Sequence, residues 1–244
     1  MTAEAALRHS APPWAYLFAV KAEQISWIAA PPLPSGSPTP ATLVRTTVEA
    51  GLVFASECQP GTRLPKRCPE LHVNGDTTFC LGRRVYQVDD ETALAAFWQD
   101  LGEYLVNQHH AIRRGRWPAG RWLSHGPVAA DRQADAEAAA AKIGIGSEYD
   151  ACIEADEGWV AKLVRGKTKR IPRGQPCPRG CRDGDGRAIP FRSCRHAAVL
   201  QRIVTAETAR RAAHDDDFRA LRRSGAKCCG RVANCPLHAG RIAA

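Results

Sequence analysis

The pattern of apolar and polar positions changes character several times along the chain. Two short apolar segments, WAYLFAV (14–20) and ISWIAAP (25–31), have strand-like content. PPLPSGSPTP (31–40) follows, and no helix or central strand accommodates so many prolines, so this is a loop. TLVRTTVEA (42–50) and GLVFASE (51–57) are rich in Val and Thr and meet at a glycine, which predicts two adjacent strands forming a hairpin. Residues 58–88 have little periodicity and many turn formers. At Asp89-Asp90 the period switches to helical: Leu94, Phe97, Trp98, Leu101 and Leu105 make one apolar face, with either aspartate able to cap the start. This helix is predicted to run from 90 to 114. Gly102 inside it costs about 1 kcal/mol relative to alanine, so packing has to compensate. GRWPAGRWLSHG (115–126) reads as an extended loop that packs Trp117 and Trp122, with His125 near its end. A second helix is predicted over 131–144, ending at a glycine. From 166 the chain turns Gly-, Pro- and Arg-rich, and a last helix is predicted at about 196–223. The boundary implied is 1–165 for a first domain and 166–244 for a small module. No internal repeat is evident.

Composition narrows the class. The 244 residues are 44% hydrophobic and 24% charged, ordinary for a globular protein. No apolar run reaches the roughly 20 residues of a membrane helix. The first residues carry Glu4 and no basic cluster, which is not a secretion-signal pattern, so the compartment expected is the cytoplasm, with no membrane partner. The net charge of +9 is read first as a solubility feature. Aromatics are not interleaved with the basic stretches, so nucleic acid is not the expected partner. Ten cysteines in such a chain argue for thiol chemistry or metal binding rather than disulfides.

CPELHVNGDTTFCLG (68–82) carries the most chemistry. It places a histidine, an asparagine two residues later, a turn at Asn74-Gly75-Asp76, and a Cys-Leu pair ahead of the long helix. This resembles the active-site flap of ubiquitin-conjugating (E2) enzymes, with its His-Pro-Asn signature, short loop and Cys-Leu pair. The signature here is His72-Val73-Asn74, with valine in place of proline, and the gap from asparagine to cysteine is about two residues shorter than in the eukaryotic enzymes. The segment 40–145 is similar to the divergent bacterial branch of that family. Its members occur in operons with ubiquitin-like proteins and activating enzymes, or in CBASS-type antiphage operons with cGAS-like nucleotide cyclases. Some of them carry a C-terminal cysteine-rich extension. The resemblance implies an α+β fold, an E2-like antiparallel meander with flanking helices. It implies Cys80 as nucleophile, Asn74 as amide donor to an oxyanion, and His72 chiefly as a brace of the flap rather than a general base. Its implied partners are a ubiquitin-like modifier or cGAS-like nucleotidyltransferase, an activating enzyme and a target protein.

Physical chemistry bears on the same residues. A positive environment lowers a thiol's pKa, and Arg83 and Arg84 are placed to supply it. Apart from the resemblance, a cysteine between Phe79 and Leu81 reads as a small buried hydrophobe. Cys68 is open to a second, transfer role. A metal site from Cys58, Cys68, His72 and Cys80 matches no common zinc spacing.

Cys177, Cys181, Cys194 and His196 form one quartet of soft or imidazole ligands; Cys228, Cys229, Cys235 and His238 form another. Each has the count of a tetrahedral structural zinc. Both lie in Gly/Pro-rich chain with few large apolar residues, so a metal rather than a core is expected to supply the folding energy. A single site drawing two ligands from each group is an alternative, since adjacent Cys228 and Cys229 fit one ion awkwardly. The module's expected role is binding. The rival to a conjugating enzyme is a non-catalytic zinc-dependent adaptor; a third reading is a nucleic-acid-binding zinc protein.

Overall fold

The computed structural model describes residues 2–21, 24–118, 124, 126–166, 170–233 and 235–238. Trp122 and His125 lie outside the described residues. Contacts divide the chain into two compact units, 1–118 with 227–244, and 119–226. Residue 166, where the composition shifts, lies inside the second unit.

In the first unit, α1 (Ala3–Ser10) starts at Thr2, whose hydroxyl accepts the Ala5 N–H. Strands β1 (Ala15–Lys21), β2 (Gln24–Ala29), β3 (Thr42–Glu49) and β4 (Leu52–Glu57) form an antiparallel sheet in the order β1-β2-β3-β4. The Ala50-Gly51 turn, both residues at positive φ, closes the β3–β4 hairpin. Side chains alternate across β2, β3 and β4, so Ile25, Trp27, Val44, Val53 and Ala55 line one buried face. The expected 31–40 loop is a loop, pinched by a Pro32–Pro38 bridge.

Helix α2 (Glu91–Arg114) matches its predicted span within a residue. The Asp90 carboxylate accepts the Thr92 and Ala93 N–H groups, and Gly115 in the left-handed region ends it. Its apolar stripe meets the sheet through Trp98, whose ring lies 4.9 Å from that of Trp27. Gly102 meets its predicted compensation: a Cβ there would stand 2.9 Å from the Trp14 ring, so only glycine admits the indole.

The second unit is helical: α3 (Pro127–Lys142), α4 (Gly146–Ala155), α5 (Gly158–Arg165) and α6 (Ala197–Arg223). Alanines 136, 139 and 140 of α3, Tyr149 and Cys152 of α4, Val160 of α5 and Leu200, Ile203 and Val204 of α6 share one core. Helix α3 begins four residues earlier than its pattern suggested, at a proline suited to the first turn. Glu207 of α6 is fully buried and takes hydrogen bonds from Arg210 (2.6 Å), Arg211 (2.7 Å) and the Tyr149 hydroxyl (2.9 Å). Burial pushes its carboxyl pKa up, but the two guanidiniums outweigh burial and hold it below the usual value. Among the described residues no helix is long and apolar enough to cross a membrane.

Candidate functional site

The irregular stretch 58–88 is locked in place by backbone bonds. Cys68 and Val73 exchange both hydrogen bonds (3.0 and 2.9 Å) across a short 3-10 turn at Pro69–Leu71. His72 leaves that turn at φ 52°, in the left-handed region. Asn74 and Thr78 then close a tight turn: the Asn74 N–H donates to the Thr78 carbonyl (2.8 Å), and Asn74 Nδ2 to the Thr78 hydroxyl (3.0 Å). Asp76 accepts both the Thr78 N–H and its hydroxyl. The returning arm lies on the β4 edge, with the Phe79 N–H on the Ala55 carbonyl (2.7 Å), and the Cys80 N–H donates to the His72 carbonyl (2.8 Å).

Helix α2 holds this loop from beneath. The Tyr104 hydroxyl (3.3 Å) and Gln108 Nε2 both donate to the buried Leu71 carbonyl. Phe79 stacks on Tyr104 (4.6 Å), and the His72 ring packs on Trp117 (4.5 Å). These supports escaped the sequence reading; Tyr104 and Gln108, four apart on one helix face, were the only local signal.

Cys80 and Asn74 line one open cleft of about 260 Å³, together with Val53, Phe54, Arg84 and Tyr86. The Cys80 thiol is partly exposed there. Of the two arginines expected to lower the thiol pKa, Arg84 is committed to a carboxylate. Arg84 turns to Asp100 (3.3 Å), which also accepts the Tyr86 hydroxyl, and burial pushes the Cys80 thiol up, opposed in part by the Gly82 N–H. His72 is buried, and burial lowers its pKa to about 4. Its ring packs on Trp117 and its carbonyl anchors the Cys80 N–H. Cys58 lies just past β4, its N–H on the Leu43 carbonyl.

The cysteine groups part company. Cys177, Cys181, Cys194 and His196 belong to the second unit, the 228–238 group to the first. A two-rung ribbon, Pro176–Pro190 and Arg182–Ala188, carries Cys177 and Cys181. Cys177 and Cys194 lie buried in the core of α3–α6. The expectation that this group lacks a core is therefore corrected: Ile171, Leu200 and Ile203 supply one that its Gly/Pro-rich sequence does not contain. His196 Nε2 is turned to Arg179 (3.3 Å) and Arg195 (3.2 Å). Cys228, Cys229 and Cys235 fold back so that Cys229 Sγ lies 3.1 Å from Cys68 Sγ, while His238 is exposed. Among the described residues no three His, Cys, Asp or Glu side chains already surround a common metal position.

A four-stranded meander backed by one long helix, with a cysteine and an asparagine on a flap over the last strand, defines an E2-like domain. The family model for a prokaryotic E2 domain matches residues 20–119, and that for a cysteine-rich domain C-terminal to E2 domains matches residues 124–237. The chain belongs to the bacterial E2-like family with a C-terminal cysteine-rich region. No curated protein and no solved structure gives a significant match.

Proposed function

We propose that this protein is a ubiquitin-conjugating-like acyltransferase. Cys80 takes the C-terminal carbonyl of a modifier protein from an activating enzyme as a thioester, releasing that enzyme's leaving group. A target amine then attacks the thioester carbonyl, and the Cys80 thiolate departs. The observation that carries this reading is the placement of Cys80 and Asn74 in one cleft beside β4, on a loop braced by α2. Asn74 Nδ2 spends one N–H on Thr78, and its second can meet the oxyanion. The cleft suits an extended C-terminal tail rather than a bulky substrate.

The modifier is a ubiquitin-like protein or a cGAS-like nucleotide cyclase, and antiphage defence is the setting that the family resemblance favours. The cysteine-rich region is read as a zinc-supported binding module, with Cys177, Cys181 and Cys194 as the soft donors of its core-embedded group. The raised pKa of the partly buried Cys80 thiol favours one rival, a non-catalytic adaptor on the same fold.

A thioester trap separates the two. The protein is incubated with the modifier, activating enzyme and ATP from its own operon, then run on a non-reducing gel. An adduct that reductant removes, absent in Cys80→Ala and present in Cys58→Ala and Cys68→Ala, is the expected result. No adduct with active partners and folded protein leaves the adaptor.

A further inference from the structure

The last cysteines of the cysteine-rich region do not stay with its helical core. Residues 227–238 group with the first unit, although the family match assigns 227–237 to the second domain. The Ala233 N–H donates to the Gly115 carbonyl at the end of α2 (2.7 Å), and the Arg231 guanidinium donates to the Arg63 carbonyl. This return brings three thiols to the start of the nucleophile loop.

We infer that Cys68, Cys228, Cys229 and Cys235 are the four ligands of one structural zinc-type ion that ties the C-terminal segment to the loop bearing Cys80. Cys68 thus replaces His238 as the fourth donor. Three observations converge. First, Cys68 Sγ and Cys229 Sγ lie 3.1 Å apart, and Cys235 is close enough to act electrostatically on both Cys228 and Cys68. Second, the Cys228 sulfur accepts a backbone N–H from two residues further on, that of Gly230 (3.3 Å). N–H groups aimed at sulfur favour the thiolate, the form a metal takes. Third, Cys68 and Cys235 are buried and the other two half-buried, and the described residues of 227–238 include no helix or strand to hold that segment.

The four sulfurs do not already surround a common point, so binding has to draw them together around the ion. Zinc–sulfur bonds of about 2.3 Å put sulfurs about 3.8 Å apart, so the Cys68–Cys229 pair has to open by roughly 0.7 Å. Binding exchanges the shared thiol protons for the ion, releasing them to solvent. Adjacent Cys228 and Cys229 serve because their sulfurs face different partners, Cys235 and Cys68. The consequence for the nucleophile is direct. Cys68 makes the first rung of the ladder Cys68–Val73, Val73–Phe79, His72–Cys80, so an ion on Cys68 fixes the foot of the loop.

The test reads metal rather than activity, so its failure is distinct from failure of the acyl-transfer reading. The full chain is purified, its zinc counted by mass spectrometry, and zinc then replaced by cobalt(II), whose charge-transfer absorption counts thiolate ligands. Cys68→Ser is expected to lose one ion per chain, while His238→Ala and Cys80→Ser keep the full count. Cys68→His keeps the ion but loses one thiolate's charge-transfer intensity, and covers the case in which the serine variant does not fold. An unchanged cobalt spectrum in folded Cys68→His, loss of an ion in His238→Ala, or a Cys68–Cys229 disulfide persisting in reduced, zinc-supplied protein would overturn the inference.

Discussion

The two cysteine groups of the C-terminal half are alike in composition and unlike in support. Cys177 and Cys194 sit among Ile171, Leu200, Ile203 and Val204, so burial of apolar surface holds that segment whatever else binds there. Cys228, Cys229 and Cys235 have no helix or strand of their own. They are held by Cys68, by one hydrogen bond to Gly115 and by Arg231. Counting ligands in a sequence therefore says little about where the folding energy comes from. One group decorates a core that exists without it, and the other depends on a loop about 160 residues away in sequence.

The sharpest way to break this contrast is to damage the core under the first group. Glu207→Ala removes the carboxylate that pairs Arg210 and Arg211 and leaves buried positive charge behind. It is expected to cost about 3–5 kcal/mol in urea unfolding followed at the helical unit. The same carboxyl gives a pH signature. Its folded pKa lies below its ordinary 4.5, so its contribution is complete above the unfolded value and is lost as pH falls toward the folded one. Stability below pH 4.5 should fall more steeply in the wild type than in Glu207→Gln.

In the first unit the corresponding lesion is steric. Gly102→Ala drives a methyl into Trp14 and is expected to cost about 1–3 kcal/mol, against the stabilisation that alanine brings to an open helix position. Thermal melts of this variant beside an exposed Gly→Ala change measure the difference. A strong chelator acts on the contrast itself. Amide exchange in 227–238 should accelerate by at least about tenfold, while 197–204 keeps its protection; equal acceleration in both would erase the distinction. The smallest effect is on the nucleophile. Because burial raises the Cys80 thiol above the ordinary 9.0, its alkylation by iodoacetamide should go on rising at pH values where an ordinary thiol has already levelled off.

Much of the first unit was legible before any coordinates. Val and Thr in alternation, a glycine between two runs and prolines where no strand can form were enough for β3, β4 and the loop ahead of them. Asp90 and the 94/97/98/101/105 stripe located α2 because capping and period are local properties. The flap 68–82 was found by the order of its residues, which a backbone turn preserves. Helices α1, α4 and α5 were missed; each is ten residues or fewer, and so short a stretch shows too little of a period to be read.

Residue order alone could supply a cysteine, an asparagine and eight soft ligands, since side-chain chemistry and spacing are written along the chain. It could not say that Glu207 is buried between two arginines, that Leu71 offers its carbonyl to Tyr104 and Gln108, or that Cys68 meets Cys229. Those contacts join residues 33, 37 and 161 positions apart, or set charge against burial. Their energies depend on which distant groups share a low-dielectric space, and that space exists only after the helices and the sheet have packed.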